Sequence, residues 1–511
     1  MSQYKLFAFL CAFSVFSIAY GESPIPERIE QIMHQPKYQH ANWGILVKDT
    51  VTEEVLYEKN SNLIFLPGST TKLFSTAALI EAYGDDYRFK TPVYAIGSLK
   101  DGVLRGNLVI VGQGDLTFGG RQEIGGDEIA FTNMDHIYAD ALPGALLTPQ
   151  DPLNALNDLA RQVKEKGIIR IDGNVLIDDR LFETTELRGM MVSPLLINEN
   201  LIDVVIQSTD VGKSAHVSWR PQVAGYKLVN ECVTVSKAEP LDISLSTDDK
   251  GKTLRITGKI PEGSPEIVRT FSVTDPKAFA RDAFIQALRA QGIVITARTP
   301  ANLPPQSTYA SMQPIAVWTS PPLYEYTKLI LKVSHNIGAN LCPLLLAVKK
   351  GERTFDAGLR ELGKFTMDDV KISADSFVFR DGAGGDENRL TPQAELMLLD
   401  YVRRWPKQQF ERYYNGLPIL GVNGSIADFG QGSPAEGKVY AKTGTGIAFN
   451  PAAGQFFLTT MALTGFIKDK KKHLLEFMVV VNNGNMPDIN DIFAIFDDEC
   501  QMTIEFYNQS E

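Results

Sequence analysis

Between residues 87 and 274 the chain changes texture, and this interruption limits its possible folds more than any other feature. Short β-like runs bounded by turn residues dominate there: "GNLVIVGQGD", "GNVLIDDRLF", "LIDVVIQST" and "KTLRITGKI". One clear helix, "PLNALNDLARQVKEKG", stands among them. Before this region come a short helix, "PERIEQIMHQ", and a hairpin, "NWGILVKDTVTEEVLYEKN". A buried helix over Thr70 to Ala82 follows, with Leu73, Phe74, Ala77, Ala78 and Ala82 at helical spacing. Helical character returns in "DPKAFARDAFIQALRAQG", "LYEYTKLILKVSHNIGANLCPLLLAVKKG" and "TPQAELMLLDYVRRWP". The apolar strand "LLEFMVVVNN" and a last helix end the chain. The expected architecture is an α/β (α+β) core, its sheet built from the first hairpin and the last strands. A strand-rich insertion of one or two small domains splits it, with core segments at 22–86 and 275–511 and the insertion at 87–274.

The start, "MSQYKLFAFLCAFSVFSIAYGESP", has a positive residue, a short apolar run and a small-x-small site. It reads as a signal peptide over 1–21, removed after Gly21 and taking Cys11 with it. The expected location is the periplasm, in free or loosely membrane-associated form, with no transmembrane anchor after cleavage. Cys232, Cys342 and Cys500 are widely spaced and form no C-x-x-C, so one disulfide with a free thiol and three thiols are equally open. A formal net charge of −11 argues against nucleic acid as a partner.

Three short patterns occur in order: Ser69-Thr-Thr-Lys72, Ser334-His335-Asn336 and Lys442-Thr443-Gly444. Singly, each is cheap. Ser69 reads equally well as a helix cap and Lys72 as a surface lysine. Together each sits in a fitting context: a helix start, a junction between two helices, and a strand, "KVYAKTGT".

The chemistry gives these residue types a reason to meet. A serine hydroxyl needs a base within hydrogen-bond reach, and residues three apart share a helix face. Burial and a second cation, Lys442, would lower the pKa of Lys72 until it serves as that base. The helix N-terminus offers N–H donors to a developing oxyanion. Ser334 can relay a proton to a leaving amine, and Asn336 can hold a substrate amide and orient Lys72. Lys442, Thr443 and Thr445 supply a cation and hydroxyls for a terminal carboxylate.

This set matches the serine–lysine signature of penicillin-binding proteins and class A β-lactamases. Further runs narrow the match: "TSPPL", "DGAG", "NRLTP", "LPILGVNGS" and "ALTGFI" in the core, "GQGDLTF" and "GNVLIDDRLF" in the insertion. Nearly the whole mature chain resembles the exported D-alanyl-D-alanine carboxypeptidase/endopeptidase family, the low-molecular-mass class C penicillin-binding proteins. The resemblance implies a transpeptidase-like core, an antiparallel sheet flanked by helices. It implies D-Ala-D-Ala carboxypeptidase and D,D-endopeptidase activity on peptidoglycan stem peptides through an acyl-enzyme. β-Lactams would be covalent inhibitors, and no cofactor or metal is implied. Catalytic roles fall to Ser69, Lys72, Ser334 and Asn336, substrate binding to Lys442, Thr443, Gly444 and Thr445. The Thr445 N–H would join that of Ser69 at the oxyanion.

Three departures stand out. His335 occupies a position the family varies and is expected to face away from the chemistry. "GGDEN" replaces the usual residues after Asp381-Gly-Ala. "GIAFNPAAGQFFLTTM" is longer than expected and reads as a lid or a longer hairpin. Asp178, where the resemblance places an acid near the groove, reads evenly as a reader of a diamino-acid amine or as a turn cap.

Other sites fail on spacing. No G-x-S-x-G elbow surrounds a serine, and Val439 stands where a P-loop needs Ser or Thr. The histidines lack metal-ligand spacing. Two rivals remain: a β-lactamase or esterase on the same scaffold, and a non-catalytic wall-binding protein.

Overall fold

The structure, a computed structural model, describes residues 26–141, 143–296 and 302–510; the expected signal peptide at 1–21 lies outside them. Five antiparallel strands make the main sheet, in the order Val439–Asn450, Gln455–Lys468, Leu474–Asn485, Asn42–Asp49 and Val55–Lys59. The first hairpin thus completes a meander formed by the last strands, with Gly44 opposite Val480. Alternation explains why Phe477 to Val481 of "LLEFMVVVNN" are all apolar. Phe477, Val479 and Val481 pack with the helices Glu27–Met33 and Asp491–Gln509, while Met478 and Val480 pack with Thr71–Tyr83 and Pro392–Arg403. Each such side chain contributes roughly 1.5–3 kcal/mol of burial. The helix Thr71–Tyr83 is buried from Thr71 to Ile80, so its apolar residues meet protein on every side. The long segment after Lys442-Thr443-Gly444 is a hairpin, its two strands running to Asn450 and from Gln455.

The insertion is built around its own core. A six-stranded sheet combines Lys90–Lys100, Val103–Val111 and shorter strands, and the helix Asn154–Glu165 buries Ala155, Leu156, Leu159 and Val163 against it. Two three-stranded sheets, one around Leu201–Gln207 and one around Thr253–Pro261, share that core. The expected boundary at 274 falls too early. The helix Pro276–Ala290 buries Phe279, Ala283, Phe284 and Leu288 in the insertion, and Ala316–Thr319 pairs with Lys90–Lys100. Sequence alone could not separate this helix from those of the main core, because it carries the same amphipathic pattern. The chain returns to the main core at Leu323–Lys332. Asp115 of "GQGDLTF" fastens the junction: it accepts hydrogen bonds from the Tyr326 hydroxyl, from Trp318 Nε1 at 3.2 Å and from the Phe118 N–H at 3.0 Å. Cys232, Cys342 and Cys500 are three buried, unbonded thiols.

A buried ionic network occupies the side of the insertion that meets the main core. Arg121 pairs with both oxygens of Asp135 at 2.6 and 2.9 Å and with Glu199 at 2.7 Å. His136 lies between Asp203 at 2.6 Å and Glu199 at 2.9 Å, and Arg220 reaches Asp203 at 3.1 Å. Burial opposes the His136 charge, but Asp203 and Glu199 together hold its pKa up at about 10. Burial likewise opposes the Glu199 carboxylate, yet Arg121 brings it down to about 2. Three cations therefore balance three carboxylates. The network also secures strained backbone, since Asn198, Glu199 and Asn200 all have positive φ, at 50°, 52° and 60°. Such conformations cost about 1–2 kcal/mol each for an ordinary residue.

Removing one partner of a buried pair leaves a charge without compensation. Arg121→Ala is expected to lower stability by about 3–5 kcal/mol, read as a fall in the chemical denaturation midpoint. An unchanged midpoint would show that water or rearrangement replaces the guanidinium.

Candidate active site

The Ser69 turn owes its shape to its glycines. Gly68 has φ of +56°, and a Cβ there would lie 2.8 Å from the Thr445 nitrogen, so only glycine lets this turn meet the edge strand. Behind it, Gly384 of "DGAG" has φ of +92° and packs where a Cβ would lie 1.8 Å from the Gly68 oxygen. Asp381 holds that loop by accepting the N–H groups of Ala383, Gly384 and Gly385 at 3.0, 2.7 and 2.9 Å. Asn388 ties the loop to the helix through Thr71, at 3.3 Å. Glu395 receives the Thr70 hydroxyl at 3.1 Å, and burial pushes its carboxyl up to about 8.

The three short patterns converge. Lys72 Nζ lies 2.6 Å from Ser69 Oγ, 2.8 Å from Asn336 Oδ1 and 3.1 Å from Ser334 Oγ. Lys442 Nζ approaches Ser334 Oγ from the other side at 2.8 Å and donates to the Thr443 carbonyl at 2.7 Å. Both lysines are fully buried, whereas Ser69 and Asn336 are partly exposed to a cleft of about 350 Å³. Burial, then the Lys442 ammonium and the Arg188 guanidinium, hold Lys72 well below the usual lysine range. Burial pushes Lys442 down to about 7. Two ammonium groups sharing one hydroxyl repel each other, and Lys72, which also faces the Arg188 guanidinium, is the one that further positive charge disfavours. A neutral Lys72 amine still donates to Asn336 and offers its lone pair to the Ser69 hydroxyl.

Ser334 sits at a φ of +58°, unusual for serine, and its carbonyl accepts a hydrogen bond from the Tyr138 hydroxyl. Tyr138 belongs to the same short turn as His136 of the ionic network. His335 points inward, and its Nδ1 accepts the Gly338 N–H at 3.1 Å to cap the helix Asn336–Lys349. Burial brings its pKa down to about 4. The loop "LPILGVNGS" is pinned by the buried Lys332, which donates to the Leu417 carbonyl and, at 2.6 Å, to Asn423 Oδ1. That loop delivers Ser425 Oγ to within 2.9 Å of Thr443 Oγ1. Thr443 and Thr445 line the cleft, and the Gly444 backbone packs on the Pro67–Ser69 turn.

Asp178 must be corrected. It ends the strand Val175–Asp178, and its carboxylate is taken by Arg180 at 2.6 and 2.9 Å and by the Tyr309 hydroxyl at 2.7 Å. It does not line the cleft, and no oxygen is left to read a substrate amine. The turn-cap alternative fits, since Asp178 also accepts the Arg180 N–H at 3.1 Å. The acids of "GGDEN" stand clear of the chemistry too, with Glu387 in an exposed pair with Arg380. The sequence reading missed Tyr138, Arg188 and Ser425. Ser425 was within a quoted motif, but Tyr138 and Arg188 come from the insertion and only tertiary packing brings them to the cleft. Away from it, Asp49, Asp469 and His473 gather at a partly exposed hairpin end, with carboxylate oxygens 3.7 and 4.0 Å from His473 Nδ1.

Comparison with known proteins bears on the family and the fold. The profile of the D-Ala-D-Ala carboxypeptidase 3 (S13) family matches residues 25–498. A D-alanyl-D-alanine carboxypeptidase of an Actinomadura species is 24% identical over 490 residues, covering 90% of this chain and 81% of that one. Penicillin-sensitive carboxypeptidase A of Dictyostelium discoideum is 23% identical over 480 residues, covering 89% and 85%. The crystal structure of penicillin binding protein 4 (dacB) from Haemophilus influenzae has the same fold, with a TM-score of 0.70 at 19% identity over 94% of this chain and 99% of that one.

Two measurements probe the site. If the Lys442 charge depresses Lys72, Lys442→Gln raises the Lys72 pKa, and the acid limb of the pH–rate profile for Ser69 acylation moves to higher pH. A limb that stays in place, or moves down, contradicts the coupling. Tyr138→Phe removes one donor from the Ser334 carbonyl. It is expected to slow turnover about tenfold, the weight of one buried hydrogen bond, with little change in KM. An equal loss in KM alone would place Tyr138 in substrate binding.

Proposed function

The chain belongs to the D-Ala-D-Ala carboxypeptidase 3 (S13) family, and we propose that Ser69 is the nucleophile with which it removes terminal D-alanine from peptidoglycan stem peptides. The observation that carries this reading is the unbroken contact from Ser69 through Lys72 and Ser334 to Lys442.

Ser69 Oγ attacks the carbonyl of the penultimate D-alanine while Lys72 Nζ takes its proton. The N–H groups of Ser69 and Thr445 stabilise the oxyanion. Lys442, Thr443 and Ser425 receive the terminal carboxylate. As the tetrahedral intermediate collapses, the proton passes from Lys72 through Ser334 to the leaving amine, and D-alanine departs. Asn336 fixes the Lys72 amine and accepts the substrate amide. Water, activated by the same lysine, then hydrolyses the ester and restores Ser69. Cleavage of a cross-link follows the same steps, with a stem-peptide amine as the leaving group. Penicillin acylates Ser69 because its strained amide imitates the peptide.

Export to the periplasm belongs to the same proposal. Its support is the charged start, the apolar run and the small-residue site at 1–21, together with a substrate that lies outside the cytoplasmic membrane. Among the described residues, no helix is long and apolar enough to cross a membrane.

Labelled penicillin is expected to mark the wild-type protein and leave Ser69→Ala unmarked. D-Alanine release from a D-Ala-D-Ala peptide should fall by about 10⁴-fold or more in that variant. Labelling that survives the substitution overturns the assignment of the nucleophile. Faster hydrolysis of a cephalosporin than of the peptide would favour the β-lactamase reading.

A further inference from the structure

One wall of the cleft is far more apolar than release of alanine requires. Side chains alternate along the strand Val439–Asn450, so Thr443, Thr445 and Ile447 share the face that Val439 and Ala441 turn toward the C-terminal helix. The Thr443–Ser425 hydroxyl pair marks where the terminal carboxylate sits in the proposed function. Phe429, four residues beyond Ser425, stacks on Phe496 of the C-terminal helix, with centroids 5.6 Å apart and planes at 28°. The first turn of that helix adds Ile492 and Phe493 to the same cleft. The apolar wall therefore lines the same cleft as the Thr443–Ser425 pair, on the loop that carries Ser425, with the exposed Asp428 also in the lining.

We propose that this wall is a binding site for the side chain of the departing D-amino acid, so that the enzyme releases large apolar D-residues such as leucine or phenylalanine as well as alanine. The inference rests on the peptidase reading above and names the substrate class of that same site. Room supports it. The cleft of about 350 Å³ extends from Ser69 past Thr443 and Ser425 to Phe429, Ile492 and Phe493, farther than an alanine methyl reaches. Exposure supports it too, because Phe493 is 44% exposed at the rim and gains by being covered. The carboxylate clamp and the wall act on different parts of one residue: the hydroxyls and Lys442 fix its charge, and the aromatic surface receives its side chain.

The test uses N-acyl-L-Lys-D-Ala-D-Xaa peptides with D-Ala, D-Leu or D-Phe at the end, scored by release of the terminal residue. The full-length mature protein is expected to release D-Leu and D-Phe with kcat/KM at least equal to that for D-Ala. Phe493→Ser should lower the D-Leu to D-Ala ratio about tenfold or more, within the usual range for apolar pockets. Phe493→Leu, which keeps an apolar wall, should hold the ratio within about twofold of wild type. Taking the ratio within each variant cancels any loss of folded protein. The inference is overturned if D-Ala is released but D-Leu and D-Phe fall below a tenth of its rate. It also falls if Phe493→Ser leaves the ratio unchanged, or shifts preference only among residues on the acyl side. Release of none of the three defeats the peptidase reading itself.

Discussion

A single hydroxyl, that of Ser334, stands between two buried amines, and the chemistry of the cleft depends first on their burial and then on the charge of Lys442 beside Lys72. Among the described residues no carboxylate is hydrogen-bonded to Lys72 or Lys442, and the Asp381 carboxylate opposes the effect of burial on Lys72 only from beyond hydrogen-bond reach. Only one proton is comfortably held across the three groups. Lys442 keeps it against the Thr443 carbonyl, and Lys72 is left as an amine beside Ser69. An ordinary exposed lysine is protonated at neutral pH and has no lone pair to offer. Here position, not residue type, makes it a base.

Holding Ser334 in place requires more than the main core. Its left-handed backbone is braced by Tyr138 from the insertion, and Tyr138 is fixed by the turn that contains His136. The balanced ionic network is thus the foundation of the second motif. An all-apolar packing of the same volume could have matched its stability. What charged groups add is direction, since each guanidinium or imidazole bond has one geometry, and the serine inherits that definition. The insertion is therefore part of the active site's frame as well as one wall of its cleft.

Much of this was legible in the residues because local rules and global fold agree there. The serine helix, the first hairpin and the apolar strand "LLEFMVVVNN" each carry a periodicity that tertiary packing preserves. Ser69 lies in the 3-10 turn Gly68–Thr70 that runs directly into the helix of Lys72, so residues three apart still meet on one face. Tyr138 and Arg188 carry no such signal. Their place in the cleft depends on how the insertion docks, which no local pattern records. Asp178 shows the opposite failure. A carboxylate at a strand end looks available in sequence, but Arg180 two residues on and Tyr309 far along the chain have already claimed it. The boundary near 274 slipped for a related reason, because amphipathicity tells which face a helix buries and not against which domain.

The pairing of Asn42–Asp49 with Leu474–Asn485 joins the two ends of the chain in adjacent strands. Closing so long a loop is entropically slow, and the main sheet cannot assemble until the strand Leu474–Asn485 has been made. The serine helix is synthesised early, yet Lys442 reaches it only with the last strands. A chain still lacking those strands would therefore carry its nucleophile as an ordinary alcohol beside a protonated lysine. Reactivity would arise only once the last strands have paired with the first hairpin and brought Lys442 to Ser334.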